Sequence, residues 1–169
     1  MPLRDTLARV DADLAAGRVP VARQRLRGLV SSFPNDLTLR RRLAEAYRLY
    51  GEPAEAGRWM YLKEDRDAAE TSAFEARYHS PRRRMRALAW RGGESLAPTA
   101  FAEEQLVAVR AACSAAAGRS VGWDSVPSDE ETEASRRSTF GERLAGAGCL
   151  VATLAFIAIW VNGVVALFD

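Results

Sequence analysis

One segment near the end of the chain constrains its fold more than any other feature. The 25 residues from Leu144 to Phe168 carry no formal charge and consist mainly of aliphatic and small residues. At about 1.5 Å of rise per residue, such a helix exceeds the ~30 Å hydrocarbon thickness of a bilayer. A Thr-x-x-Glu pattern from Thr139 to Glu142 is typical of a helix start. The sequence therefore predicts a transmembrane anchor over residues 140–168, with a buried helix of a soluble core as the alternative.

The charges around this segment predict its orientation. Arg136, Arg137 and Arg143 precede the apolar run, whereas Asp169 alone follows it. Basic residues flank transmembrane helices on the cytoplasmic side. The first thirty residues contain no continuous apolar stretch, so no signal peptide is expected. We therefore expect a single-pass protein of the cell membrane, of the tail-anchored kind, with its N-terminal domain in the cytoplasm.

Small or polar residues recur every four positions along the predicted span. This spacing lets two transmembrane helices approach closely, and an asparagine between them can form a hydrogen bond across the interface. Self-association of the span is therefore one interpretation, and chance recurrence in a segment rich in alanine and glycine is the other. The residues concerned are Gly141, Ala145, Cys149, Ala158, Asn162 and Ala166.

The first part of the chain contains an internal repeat of 34 residues. Gly17 is separated by that distance from Gly51, and Ala22 from Ala56. Glycine readily ends a helix in a left-handed conformation, and alanine lets two helices touch. Apolar residues at helical spacing lie on both sides of each joint. The pattern predicts two helical hairpins over residues 1–66.

The second of these hairpins resembles a tetratricopeptide repeat. Its large, small, aromatic, glycine and alanine positions are occupied by Leu43, Ala44, Tyr47, Gly51 and Ala56. The first hairpin ends in Pro34 and Asn35, which is similar to the terminal turn of that repeat. The resemblance covers roughly residues 3–66 and departs from the pattern at Arg9 and Asp13, where leucine and tyrosine are expected.

Three runs of sequence carry a further resemblance, namely Arg23 to Leu29, Leu39 to Leu43 and Gly51 to Leu62. They are similar to an uncharacterised actinobacterial family of tetratricopeptide-repeat-like membrane proteins, a domain of unknown function. This resemblance implies a helical-repeat fold and no enzymatic activity.

The rest of the chain predicts more helices and then a linker. Residues 67–118 are expected to form a divergent third pair of helices and a further, capping helix from Pro98 to Gly118. Residues 119–139 include the acidic run from Asp129 to Glu133 and are typical of a flexible tether. The predicted fold is therefore all-α, with about three hairpins, one further helix and one C-terminal transmembrane helix.

The sequence contains no pattern typical of an active site or a metal site. His79 is the only histidine, and no pair of ligands has the spacing of a zinc site. Cys113 lies on an apolar helical stripe, where a thiol is usually buried and inert. We therefore predict no catalytic residues, no metal, no cofactor and no enzyme activity.

Two clusters of arginine are the candidate binding residues. Residues 1–91 carry 19 basic and 12 acidic groups, which leaves a net charge of +7. Guanidinium groups bind carboxylates bidentately and also bind anionic lipid headgroups. Solvated helix faces, or contact with the run from Asp129 to Glu133, are the alternatives. The clusters consist of Arg40, Arg41, Arg42, Arg82, Arg83, Arg84 and Arg86.

Three consecutive large side chains give a second candidate. Trp59, Met60 and Tyr61 cannot all face one core from one helix, so at least one is expected to be partly exposed. Trp59, followed by Tyr61, is the candidate anchor for a protein partner. Packing of both rings in the core is the alternative.

These observations predict a membrane-anchored scaffold that faces the cytoplasm and binds an unknown protein partner through its helical repeats. Binding of anionic lipid or nucleic acid through the arginine clusters is the alternative. Nucleic acid is the weaker of the two, because the net charge of the whole chain is only +2 and no nucleic-acid-reading motif occurs.

Overall fold

Seven α-helices account for most of residues 3–125, the part of the chain that a computed structural model describes. No strand occurs in this part, so the all-α prediction is confirmed there. Short 3-10 turns cover Glu94–Leu96 and Trp123–Ser125. The helices are α1 (Leu3–Ala15), α2 (Val19–Ser32), α3 (Leu37–Arg48), α4 (Pro53–Met60), α5 (Ala68–Arg77), α6 (Pro81–Leu88) and α7 (Ala100–Ala117).

Local sequence signals determine where these helices begin. The carboxylate of Asp36 accepts hydrogen bonds from the backbone N–H groups of Thr38 and Leu39, at 2.8 and 3.1 Å. Such a side chain satisfies backbone donors that have no partner within the first turn. Proline, which needs no hydrogen bond there, occupies the first turns of α2, α4 and α6. The other residues that cap a helix in the same way are Asp67, Ser80 and Thr99.

The two hairpins share their backbone geometry at the joint. Gly17 follows α1 with φ +70°, and Gly51 follows α3 with φ +69°. Only glycine adopts this left-handed conformation without strain. Ala22 and Ala56 are fully buried, where each second helix packs on the first. The 34-residue repeat therefore corresponds to two equivalent turns.

The departure from the repeat pattern at Asp13 is compensated by charge. Its Oδ1 accepts from Arg18 Nη2 at 2.8 Å, and its Oδ2 accepts from Arg25 Nε at 2.9 Å. The hydrogen bonds from Arg18 and then Arg25 hold the pKa of Asp13 below its usual value. Asp13 at the end of α1 thus forms ion pairs with Arg18, which precedes α2, and with Arg25 of α2.

The helices enclose two separate hydrophobic cores. Each of α2, α3 and α4 packs on the helix before it, and α4 also packs against α5, while α6 packs on α7. The first core belongs to α1–α4 and includes Val10, Leu26, Leu39, Leu43, Tyr47, Trp59 and Met60. The second core is centred on α5–α7 and includes Leu62, Phe74, Met85, Leu88, Trp90, Leu106 and Cys113.

The helical domain extends past residue 118, where the sequence predicts that the flexible linker begins. Val121 and Trp123 are buried in the second core, because the removal of apolar side chains from water lowers the free energy of the folded state. The N–H of Val121 also donates to Ser114 Oγ at 3.1 Å. Residues 119–125 therefore belong to the helical domain.

No helix within residues 3–125 combines the length and the hydropathy required to cross a membrane. The predicted span, residues 140–168, lies outside the described residues, as does the acidic run from Asp129 to Glu133. The predicted self-association of the span also concerns residues outside that range.

Replacing Gly57 with alanine should destabilise the packing of α4 on α5. A Cβ atom at Gly57 would lie 2.0 Å from the carbonyl oxygen of Glu70, which belongs to the backbone and cannot move aside cheaply. We expect Gly57→Ala to lower the free energy of unfolding by about 1 to 3 kcal/mol, the range for overpacking. Chemical denaturation of the full-length chain in detergent, followed by circular dichroism, measures this.

Gly28→Ala is the matched control, since a Cβ atom at Gly28 meets nothing within 4 Å. Gly28 lies inside α2, where alanine should raise the free energy of unfolding by about 0.5 to 1 kcal/mol. Equal effects of the two substitutions would contradict the close approach of α4 and α5.

Candidate functional site

A cleft of about 460 Å³ opens where the two cores meet. Its lining combines residues of the first core with residues of the second, and basic side chains with aromatic ones. Three of the chain's four tryptophans line it. The aromatic and basic residues are Trp59, Trp90, Trp123, Arg27, Arg58 and Arg91.

Four separate segments place these six side chains. α2 contributes one arginine, and the last turn of α4 contributes an arginine and a tryptophan. The stretch that follows α6 contributes the next tryptophan and arginine, and the 3-10 turn at Trp123–Ser125 contributes the third tryptophan. The cleft is therefore formed by tertiary packing and not by one motif.

The tryptophans form nearly dry walls, since the exposed fractions of Trp59, Trp90 and Trp123 are 6%, 3% and 8%. Trp90 Nε1 donates to the carbonyl oxygen of Gly93 at 3.3 Å, and Trp123 Nε1 donates to Glu94 Oε1 at 3.0 Å. Trp59 Nε1 is buried and has no acceptor in the part of the chain that the structure describes. Walls of this kind strengthen electrostatic interactions inside the cleft.

Arg40 lies directly beneath this lining, with no exposure to solvent. Its Nε donates to the carbonyl oxygen of Pro34 at 2.7 Å, and its Nη2 donates to that of Ala89 at 3.5 Å. The guanidinium carbon is 5.4 Å from the ring centroid of Trp59 and 5.7 Å from that of Trp90. All four of these neighbours line the cleft.

The positive charge of Arg40 is not balanced by any acid among residues 3–125. Its Nη1 has no hydrogen-bond acceptor there, and its guanidinium forms no ion pair. Burial, followed by repulsion from Arg58, lowers the pKa of Arg40 from its usual value to about 9. The group is thus still cationic at pH 7. An unpaired buried charge is costly, so its position calls for an explanation.

Arg58 is partly neutralised and is fixed in place. Its Nε donates to the carbonyl oxygen of Ala87, and its Nη1 donates to Glu55 Oε2 at 3.1 Å. Its guanidinium carbon lies 4.3 Å from the ring centroid of Trp59. Glu55 also accepts a hydrogen bond from the hydroxyl of Tyr78 at 2.8 Å, so its charge is shared.

Arg27 and Arg91 are exposed at the cleft, and their side chains have no hydrogen bond or ion pair with any other residue in the described range. The backbone of Arg91 is held firmly, because its carbonyl oxygen accepts from Asn35 Nδ2 at 2.9 Å. Asp124 is the acid in the lining, and its Oδ1 accepts from the N–H of Gly92 at 3.3 Å. Two guanidinium groups are thus available to a ligand.

The predicted arginine clusters are distributed differently. Arg40 is buried at the cleft, whereas Arg41 is paired with Asp65 and Arg42 with Asp11. In the second cluster Arg83 is exposed on α6, Arg82 and Arg86 are half-buried, and Arg84 Nη1 lies 3.8 Å from Glu75 Oε1. The first cluster therefore does not present a fan of free guanidinium groups.

Trp59, Met60 and Tyr61 are all buried, contrary to the expectation that at least one is exposed. The reason is that α4 ends at Met60, between the two cores. Trp59 and Met60 pack in the first core, and Tyr61 packs in the second, 5.1 Å from Phe74 between ring centroids. Trp59 lines the cleft, and Tyr61 does not.

A model of a protein family, described as a family of unknown function (DUF6584), matches residues 1–169. The chain belongs to this family. The match spans every residue of the cleft as well as the apolar segment from Leu144 to Phe168. No curated protein is significantly similar to the chain, and no solved structure is either.

The sequence did not predict four of the residues that matter at this cleft, namely Arg27, Trp90, Arg91 and Trp123. Arg27, the adjacent pair Trp90 and Arg91, and Trp123 lie more than 30 positions apart along the chain and share no periodicity that could have joined them. One signal was present, because a tryptophan at position 123 is out of place in a flexible linker.

Replacing Arg40 with methionine should affect stability far less than replacing it with alanine. Methionine fills a similar volume and removes an unpaired buried charge, which offsets the loss of two hydrogen bonds. We expect Arg40→Met to change the free energy of unfolding by no more than about 1 kcal/mol at pH 7. Arg40→Ala leaves a cavity and should cost about 3 kcal/mol. Chemical denaturation of the two variants measures both values.

The difference in stability between the wild type and Arg40→Met should depend on pH. The pKa of Arg40 in the folded chain, about 9, lies well below its usual value, so the folded state binds fewer protons than the unfolded state above pH 9. The penalty of the buried charge is therefore complete below pH 9 and declines above it. The wild type should gain stability relative to Arg40→Met between about pH 9 and pH 10.5. A constant difference would contradict an uncompensated charge at Arg40.

Proposed function

We propose that the chain is a non-enzymatic adaptor that holds an acidic segment of a partner protein in the cleft. The observation that carries this proposal is the state of Arg27 and Arg91. At least nine arginines of residues 3–125 form an ion pair with an acid, whereas these two, at the cleft, have no side-chain partner within that range. Arginines with an acidic partner include Arg41, Arg42, Arg48, Arg77, Arg84 and Arg110.

The chemistry of the cleft favours a protein ligand. Arginine and tryptophan are the residues that contribute most to binding at protein interfaces, particularly in partly desolvated pockets. A cleft of about 460 Å³ has room for a few residues of an extended segment. Carboxylates in that segment would pair with the guanidinium groups of Arg27 and Arg91.

The proposal includes the repeat type and the membrane address. The equivalent left-handed turns at Gly17 and Gly51 support a tetratricopeptide-like arrangement of α1–α4. The uncharged segment from Leu144 to Phe168 supports a single-pass anchor, with the helical domain on the cytoplasmic side. Membership of a tetratricopeptide-like family of actinobacterial membrane proteins belongs to the same proposal.

A second candidate function is binding of anionic lipid headgroups. The observation in its favour is the cluster of Arg82, Arg83, Arg84 and Arg86 on α6, of which Arg83 is exposed. The pairing of Arg41 with Asp65 and of Arg42 with Asp11 weakens it for the first cluster.

Reversing the charge at the cleft should release the partner. We expect the double variant Arg27→Glu and Arg91→Glu to capture at least about tenfold less of an acidic partner than the wild type, since two charge-assisted contacts become repulsive. Crosslinking of the tagged full-length chain in its native membranes, followed by quantitative mass spectrometry, measures the capture.

Arg83→Glu is the matched control for that experiment, because Arg83 is an exposed arginine that does not line the cleft. It should retain the partner. If it loses the partner as strongly as the double variant does, the cleft is not the docking site. Loss of lipid binding by Arg83→Glu alone would favour the second candidate.

The membrane part of the proposal has its own test. We expect the full-length chain to remain with vesicles after extraction with alkaline carbonate, because a helix of 25 uncharged residues inserts stably in a bilayer. A chain that ends at residue 139 should appear in the supernatant. Extraction of the full-length chain by carbonate would contradict the anchor.

A further inference from the structure

The charges around the cleft do not cancel. Two carboxylates lie close to the arginines of the cleft. Asp124 lines the cleft, and Glu55 pairs with Arg58 and also with Arg77. If the whole charge of Glu55 is assigned to the cleft, the negative charges number two. Four cationic groups less these two carboxylates leave two positive charges. The four guanidinium groups at or directly beneath the cleft are those of Arg27, Arg40, Arg58 and Arg91.

The hydrogen-bonding groups that the structure describes around the cleft include more unpaired donors than unpaired acceptors. The two buried polar side-chain atoms that lack a partner here, Arg40 Nη1 and Trp59 Nε1, are both N–H donors. Arg27 and Arg91 add further donors with no acceptor in the described range. A complementary ligand therefore presents hydrogen-bond acceptors to these donors and carries close to two negative charges.

A phosphate monoester has these properties. It carries about −1.5 to −2 charges at neutral pH and three strong acceptor oxygens. A single carboxylate supplies one charge and two oxygens, and would leave one positive charge unbalanced. Guanidinium forks also match the spacing of phosphate oxygens, which allows two parallel hydrogen bonds from each arginine.

We propose that the cleft recognises a phosphorylated side chain of the partner protein. This inference rests on the proposed function for the source of the phosphate group. Arg27 and Arg91 bind its oxygens from the cleft mouth, and Arg58 adds charge from the wall formed by Trp59. Arg40 lies beneath the indole rings, and its positive charge acts on the ligand without screening by water. The unpaired burial of Arg40 is thereby explained, because the ligand supplies the missing anion.

Matched peptides test the inference. Isothermal titration calorimetry of the full-length chain in detergent, at constant ionic strength, would compare Gly-Gly-phosphoSer-Gly-Gly with Gly-Gly-Glu-Gly-Gly and with inorganic phosphate. We expect the phosphoserine peptide to bind at least about tenfold more tightly than the glutamate peptide. Equal affinities for the two peptides would overturn the preference for a dianion. Inorganic phosphate bound as tightly as the phosphoserine peptide would overturn the assignment to a partner side chain.

Three variants identify the residues that act. Arg27→Ala and Arg91→Ala replace exposed side chains and should leave folding intact. Each should lower the affinity for the phosphoserine peptide by about tenfold. Arg40→Met should reduce the ratio of phosphoserine to glutamate affinity by about tenfold, an effect that a purely structural role would not produce. Arg83→Ala is the control and should change neither affinity nor ratio. An Arg40→Met chain with an unchanged ratio would remove Arg40 from the proposed site.

The inference and the proposed function fail in different ways. In one outcome, phosphatase treatment of the membranes leaves the partner bound while the Arg27→Glu and Arg91→Glu variant releases it. That result would support the adaptor function and contradict phosphate recognition. If the phosphoserine peptide binds but the double variant captures the same proteins as the wild type, the phosphate site stands and the adaptor falls.

Discussion

The guanidinium group of Arg40 joins the two halves of the helical domain, beside the packing of α4 on α5. It bonds to the carbonyl oxygen of Pro34, which precedes α3, and to that of Ala89, which follows α6. The indole rings of Trp59 and Trp90, one from each core, lie within 6 Å of it. The same side chain therefore contributes to the packing between the cores and to the floor of the cleft.

The C-terminal end of α6 explains how this arrangement tolerates a buried cation. The carbonyl oxygens of Ala87 and Ala89 accept from Arg58 and Arg40, at the end of the helix where the backbone dipole is negative. These contacts offset part of the cost of burying Arg40 but supply no full negative charge. The remaining charge lowers stability and, in the function we propose, raises affinity for an anion, which is a common compromise at binding sites.

Neighbouring arginines in the sequence have different fates in the structure. Consecutive residues of a helix point about 100° apart, so Arg40, Arg41 and Arg42 cannot act as one patch. Arg40 enters the seam, while Arg41 pairs with Asp65 and Arg42 with Asp11. The sequence analysis proposed Arg40 and Trp59 for a binding surface on an exposed face, whereas both side chains are buried. Burial depends on which helices pack on either side, and that information is not local.

The sequence by itself determined the features that arise within a few residues. These include the helices, the caps such as Asp36, and the left-handed turns at Gly17 and Gly51, because backbone hydrogen bonds and glycine conformations are local. The tertiary structure alone decided that Trp59, Trp90 and Trp123 share one cleft. Residues more than 30 positions apart meet only when two cores form and pack together, and no periodicity along the chain encodes that contact.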